Sequence, residues 1–148
     1  MFTTHEARFR LWDLIKGVKF TMFGTHQLSG GMRSRPMTTQ NSELAEDECL
    51  WFFMSRTGAP FNDIGRDSNV NLSYADPGRD VYVSVSGIAH VENSPERSRS
   101  LWSKFAQVWF RGGVDDPDLA LIKVRITRAE YWDVEKSKII ELFIPPEG

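Results

Sequence analysis

The chain has a single cysteine, three scattered histidines and no long apolar run. One cysteine, Cys49, excludes an internal disulfide and a cysteine-rich zinc site, and it indicates a reducing compartment, so we expect a cytoplasmic protein. The histidines His5, His26 and His90 lack the H-x-x-x-H spacing of a metal site. No stretch reaches the ~20 apolar residues of a membrane span, and the amino terminus lacks the apolar segment of a secretory signal.

The charge balance also excludes a class of partner. The chain carries 18 basic and 20 acidic residues, which gives a net charge of −2. A protein that binds nucleic acid through its phosphates is usually clearly basic, so we expect no nucleic-acid partner. The G-x-G-x-x-G, Walker A and nucleophile-elbow motifs are missing as well. No side chain is therefore marked as an obligatory acid, base or nucleophile.

Aromatic residues, by contrast, are abundant for one domain of residues 1–148. The chain has five tryptophans and ten phenylalanines in 17.0 kDa. Most of them belong in a core, because aromatic side chains bury the most surface per residue. The remainder favours a slot for a planar ligand.

Two helices have clear start and stop signals. The first has a Thr3 cap and ends at Gly17, with Phe9 on its apolar side. The second starts with Ser94–Pro95 and runs to Gly112–Gly113, with Val108 in its apolar stripe.

Apolar alternation and short turns predict about six strands. A glycine turn at residues 30–31 predicts a hairpin, and Gly87 inside a long alternating run predicts a bulge. Antiparallel neighbours joined by tight turns favour a small barrel in a mainly β, α+β domain. The strand patterns cover residues 18–23, 32–40, 49–53, 70–74, 81–91 and 119–125, and 129–134 is a further candidate.

Two arginines on one strand suggest an anion site. On a strand, Arg33 and Arg35 lie on the same face, about 6.6 Å apart, and two guanidinium groups can grip a phosphate. Pro36 lacks an N–H, so this strand belongs at a sheet edge, where free backbone groups can bind the edge of a heterocycle. A solvated strand face is the alternative reading of the same residues.

A buried strand at 50–53 opens directly onto donors. Ser55, Arg56 and Thr57 follow an apolar wall, which is the order that an anion site needs; an ordinary loop after a core strand is the alternative.

Trp109 and Trp132 stand in aromatic segments that are able to cover a planar ring, with core packing or a subunit interface as the alternative.

In this order, the segments resemble the pyridoxamine 5'-phosphate oxidase-like, FMN-binding split-barrel family, in its bacterial general stress protein 26 branch. The resemblance covers nearly the whole chain. Its motifs are R-S-R-P-M at 33–37, L-W-F-F at 50–53, V-N-L-S-Y-A-D-P at 70–77, Y-V-S-V-S-G at 82–87, L-W at 101–102, W-F-R-G-G at 109–113 and A-E-Y-W-D at 129–133.

The resemblance implies a six-stranded antiparallel split β-barrel with flanking helices. It also implies a homodimer that binds FMN, or FAD, in two clefts at its interface. Arg35, Pro36 and Met37 are expected along the flavin ring, and Arg33 with residues 55–57 at the phosphate. Trp109 and Trp132 are expected as contacts from the partner subunit. The implied flavin-binding set is Arg33, Ser34, Arg35, Pro36, Met37, Phe53, Met54, Ser55, Arg56, Thr57, Trp109 and Trp132.

Two departures from the family pattern shape the expected function. Met54 and Pro60 stand where relatives usually have a phosphate-binding threonine and lysine, and the R-x-H pair expected after Trp132 is missing. We therefore expect a flavin-binding general-stress-type protein. It is either a flavin-dependent oxidoreductase of unknown substrate or a protein without enzymatic activity, and we do not expect a vitamin B6 oxidase. The alternatives are a dimeric interaction or sensing protein that has lost the flavin, and a split barrel that binds a deazaflavin or haem.

Overall fold

The computed structural model describes residues 4–44 and 49–143, which include four α-helices and seven strands. The helices are α1 (Thr4–Ile15), α2 (Ala59–Arg66), α3 (Pro95–Leu101) and α4 (Lys104–Trp109). The strands are β1 (Thr21–His26), β2 (Met32–Met37), β3 (Cys49–Ser55), β4 (Asn69–Asp76), β5 (Val81–Glu92), β6 (Leu119–Asp133) and β7 (Lys138–Phe143).

The strands form one antiparallel sheet in the order β2-β1-β4-β5-β6-β3, and β7 is added against β6. Six strands thus make the path of a half-barrel with helices around it, which confirms the predicted mainly β split-barrel fold. Pro36 lies in β2, at one edge of this path, as its missing N–H requires.

The two ends of the sheet are joined by the segment that follows β2. The N–H of Gln40 donates to the carbonyl of Trp51 at 2.8 Å. The side chain of Asn41 donates to the carbonyl of Cys49 at 2.9 Å and accepts from the N–H of Trp51 at 2.8 Å. This segment therefore lies along the first half of β3, and the carboxyl-terminal ends of β2 and β3 form the two sides of a cleft.

β3 is buried on both faces, as its unbroken apolar sequence predicts. Leu50, Phe52 and Met54 face the main core, which α1 and the inner face of the sheet complete. Trp51 and Phe53 face a second cluster that α4 covers. The strand that ends at the cleft is therefore fixed from both sides.

Several local predictions were wrong. The helix expected from Ser94 to Gly112 is two helices, because Ser103 caps α4 through the N–H of Ala106. Val108 is not in an apolar core but 75% exposed, and Phe9 is exposed as well. The segments 119–125 and 129–134 form the single strand β6, and β7 was not predicted. The expected cap at Thr3 lies outside the described residues.

The bulge predicted at Gly87 is confirmed. The register between β5 and β6 shifts at Ser86/Gly87, where the two backbones approach closely. A Cβ at position 87 would lie 2.6 Å from the carbonyl oxygen of Arg125 and 2.6 Å from Cγ1 of Val124. Neither atom is at the end of a flexible side chain, so the bulge admits only glycine.

Gly87→Ala is expected to lower the free energy of unfolding by about 1–3 kcal/mol, because an added methyl group overpacks the sheet. Gly65→Ala is the control, since a Cβ there meets nothing within 4 Å and alanine favours its helix. Urea denaturation measures both variants, and equal stabilities would contradict the close approach at Gly87.

Candidate functional site

A cleft of about 450 Å³ lies between the ends of β2 and β3 and is bordered by α4. We call it the β2–β3 cleft. Its walls are mostly apolar side chains, which suits a flat aromatic ligand better than a strongly charged one. The lining residues are Phe20, Pro36, Met37, Thr38, Gln40, Phe53, Met54, Ser55, Gly58, Pro60, Ala106, Trp109, Phe110 and Asp118.

One side of the cleft is the end of the edge strand β2. Pro36 and Met37 line it, together with Thr38 just beyond the strand. An edge strand has backbone N–H and C=O groups that no neighbouring strand satisfies. This side therefore combines apolar side chains with backbone groups of the kind that recognise the edge of a heterocycle.

Arg35 does not line this cleft, because its side chain faces the protein interior and is only 16% exposed. Its guanidinium donates to Oγ1 of Thr25 at 2.7 Å and to the carbonyl of Phe23 at 3.2 Å. Its Nη2 lies 3.7 Å from the carboxylate of Asp63. Burial lowers the pKa of Arg35, with Asp63 acting in the opposite direction.

Asp63 is the centre of this interior network. It is buried in α2 and accepts from Oγ1 of Thr25 at 2.8 Å and from Arg66 at 2.6 Å. Together with Arg35, these contacts join β1, β2 and α2. Arg35 is thus placed to hold the strand that carries Pro36. Arg33 and Ser34 are exposed on β2 and do not line the cleft.

The donors that follow β3 converge on a carboxylate of the chain itself. The hydroxyl of Ser55 donates to Asp118 at 2.5 Å. The hydroxyl and the N–H of Thr57 each donate to the other oxygen of Asp118 at 3.1 Å. These bonds, that of Ser55 first, lower the pKa of Asp118, so its carboxyl group is ionised at neutral pH. We call these three groups the Ser55–Thr57 donors.

Arg56 is also engaged within the chain. Its Nε donates to the carbonyl of Leu119 at 3.0 Å, and its guanidinium lies 5.8 Å from the ring centre of Phe61. Its backbone N–H donates to the carbonyl of Asp118 at 2.7 Å. The expected phosphate donors at 55–57 therefore bind the start of β6.

The two tryptophans lie on different parts of the surface. Trp109 is 75% exposed at the end of α4 and lines the β2–β3 cleft. Trp132 lines a second cavity of about 300 Å³ beside Tyr82 and Arg79. Leu119, which adjoins the cleft residue Asp118, is at the opposite end of β6 from Trp132. The two are about 40 Å apart along the strand at ~3.3 Å per residue, so Trp132 is remote from the cleft of its own chain.

The structure thus brings half of the expected set together. Six of the twelve residues line the β2–β3 cleft: Pro36, Met37, Phe53, Met54, Ser55 and Trp109. The other six do not line it: Arg33, Ser34, Arg35, Arg56, Thr57 and Trp132. Sequence reasoning missed Phe20, Gly58, Ala106, Phe110 and, above all, Asp118. Asp118 lies 63 residues from Ser55 in the chain, so no local motif points to it.

The family model described as "Pyridoxamine 5'-phosphate oxidase like" matches residues 6–144. The chain belongs to this family. The resemblance found in the ordered motifs is therefore confirmed.

Known proteins agree with this membership. The protein bli-3 of Neurospora crassa is 25% identical over 122 residues, which are 76% of this chain but only 58% of bli-3. The crystal structure of a Clostridium acetobutylicum protein related to general stress protein 26 shares the fold with a TM-score of 0.78, at 15% identity and 95% coverage of both chains. That of the general stress FMN/FAD binding protein of Xanthomonas citri has a TM-score of 0.73 at 28% identity, with 86% of this chain and 89% of that chain covered.

Two other kinds of feature are absent from residues 4–44 and 49–143. No helix in these ranges is long and apolar enough to span a membrane. No group of three or more His, Cys, Asp or Glu side chains in them is arranged to hold a metal ion.

Asp63→Asn is expected to lower the free energy of unfolding by about 3 kcal/mol, because it leaves the buried guanidinium of Arg35 without its carboxylate. Asp13→Asn is the matched control. Asp13 is half exposed beside Arg10 and Lys16, so its loss is expected to change stability by less than ~1 kcal/mol. Chemical denaturation compares the two, and similar effects would show that the Asp63 network is not structural.

Proposed function

We propose that the chain is a flavin-binding protein and that the β2–β3 cleft receives the isoalloxazine ring. FMN and FAD are the forms named for the related protein of Xanthomonas citri. The observation that carries the proposal is the cleft itself, about 450 Å³ in volume and walled by apolar side chains beside an edge strand. Bound flavin supplies the redox chemistry, and the chain supplies position and surroundings.

The residues present fit the ring better than the phosphate. Pro36 and Met37 offer the apolar wall and backbone edge on one side, and Trp109 offers an aromatic surface on the other. The part of the cleft where the phosphate is expected, at residues 55–57, which we call the phosphate end, offers no free donors of this set. The Ser55–Thr57 donors are all bound to Asp118.

We propose further that two copies of the chain form the binding unit, in the cytoplasm. Phe20 and Trp109 are large exposed apolar side chains on the rim of the cleft, and such groups favour a protein partner. Trp132 belongs to another surface of the same chain, so its expected flavin contact requires a second copy. A flavin-dependent oxidation of unknown substrate is the activity that this arrangement suits.

The second candidate function is that of a split-barrel interaction or sensing protein without flavin. Met54 and Pro60 line the cleft where relatives usually have phosphate-binding side chains, and Asp118 adds a negative charge. These features disfavour a tightly held phosphorylated cofactor. A protein that binds no flavin of any kind supports this candidate.

Flavin titration tests the cleft. The wild type is expected to quench the fluorescence of an added flavin, and Trp109→Ala is expected to weaken binding by about 1 kcal/mol, or about fivefold, through loss of an aromatic contact. Val108→Ala is the control, because Val108 is equally exposed on α4 and does not line the cleft. If riboflavin, FMN and FAD all leave the wild type unchanged, the flavin proposal fails.

Light scattering tests the second copy. We expect a particle of twice the 17.0 kDa chain mass, and Trp132→Ala is expected to weaken flavin binding although Trp132 is outside the cleft of its own chain. Leu28→Ala, at an exposed hairpin turn, is expected to change neither property. A monomer that binds flavin equally well with and without Trp132 would rule out the shared site.

A further inference from the structure

Among the described residues that line the β2–β3 cleft, Asp118 is the only one with a charged side chain. The wall otherwise consists of apolar and neutral polar groups, and it includes no arginine or lysine among those residues. Arg56, which directly follows the lining residue Ser55, is turned toward Leu119 and Phe61. The cleft therefore presents a net negative charge to anything that enters it.

The carboxylate of Asp118 also occupies the donors that an incoming anion would need. The hydroxyls of Ser55 and Thr57 and the N–H of Thr57 all donate to it, at 2.5 to 3.1 Å. A phosphate at this end must either displace Asp118 from three hydrogen bonds or lie beside it without those donors. Both arrangements disfavour a dianion, while an uncharged ligand needs neither.

The position of Asp118 is fixed by the backbone around it. Its own N–H donates to Oδ1 of Asp116 at 2.9 Å, and its carbonyl accepts from the N–H of Arg56 at 2.7 Å. The other oxygen of Asp116 accepts from the N–H of Gly112 at 3.2 Å. Asp118 therefore enters the cleft from a rigid turn, and a second carboxylate stands next to it in that turn.

We propose that Asp118 determines the ligand specificity of the β2–β3 cleft by acting as a built-in anion. Its carboxylate takes the place of a ligand phosphate at the Ser55–Thr57 donors and repels a second anion. The preferred ligand class is a planar aromatic without a phosphate, such as riboflavin, over its phosphorylated form. This inference rests on the proposed flavin function and concerns the phosphate end alone.

The experiment compares riboflavin with FMN on the full-length protein. For the wild type, we expect riboflavin to bind at least as tightly as FMN in a fluorescence titration at low salt. Asp118→Asn removes the charge at nearly constant size. We expect it to lower the ratio of Kd for FMN to Kd for riboflavin by about tenfold or more, the size of the effect of one nearby charge.

Asp115→Asn is the matched control for the loss of one negative charge. Asp115 is 76% exposed, lies 3.3 Å from Arg99 and does not line the cleft. We expect this variant to leave the ratio of the two Kd values unchanged. A ratio that falls equally in both variants would show a general charge effect and overturn the role of Asp118.

Salt dependence of the wild type gives a test that requires no variant to fold. Screening weakens repulsion, so added KCl is expected to tighten FMN binding and to leave riboflavin binding nearly unchanged. FMN binding that weakens with salt, or a ratio that Asp118→Asn does not change, overturns the specificity inference while riboflavin binding keeps the proposed function. If neither flavin binds any variant, both proposals fail.

Discussion

The carboxylate of Asp118 joins the end of β3 to the start of β6, and the shape of the cleft depends on this connection. Three hydrogen bonds run from the Ser55–Thr57 donors to its side chain, and the backbone of Arg56 binds its carbonyl. The guanidinium of Arg56 then reaches Leu119. The loop after β3, which has the sequence of an anion site, is thereby tied to its own sheet.

A second charged network holds the opposite side of the cleft. Arg35 and Asp63 meet behind β2, where Asp63 is only 5% exposed, and Thr25 binds both of them. Arg35 and residues 55–57, which suggested an anion site in the sequence, therefore serve to position strands, whereas Arg33 is exposed. Arg35 and the Ser55–Thr57 donors bind acids of the same chain, and the wall between them is left mostly apolar. An apolar wall of this kind contacts a ligand through its shape and ring surface, while the carboxylate of Asp118 leaves one negative charge in the lining.

The sequence was informative wherever a residue acts through its own backbone. Pro36 placed β2 at an edge, and Gly87 marked the bulge, because a missing N–H and a missing side chain have the same consequence in any sheet. The alternation along β5 and the apolar run of β3 also predicted strands correctly, because both patterns follow from local backbone geometry. The fate of Arg35 and Arg56 depends instead on Asp63 and Asp118, which are distant in the chain. The alternation of a strand indicates which face Arg35 is on, but it does not indicate that Asp63 lies against that face.

A flavin can bind in the β2–β3 cleft through its ring even when its phosphate is poorly bound, because the ring and the phosphate contribute separately to the binding free energy. A ring that buries about 250 Å² of apolar surface gains about 6 kcal/mol before the cost of association. After that cost, the walls of the cleft alone hold such a ring weakly. In the proposed dimer, a second chain adds further apolar contact without any charge, and it does so at the exposed rim formed by Phe20 and Trp109. If the proposed dimer forms, its partner surface is thus a more effective source of affinity than a phosphate contact.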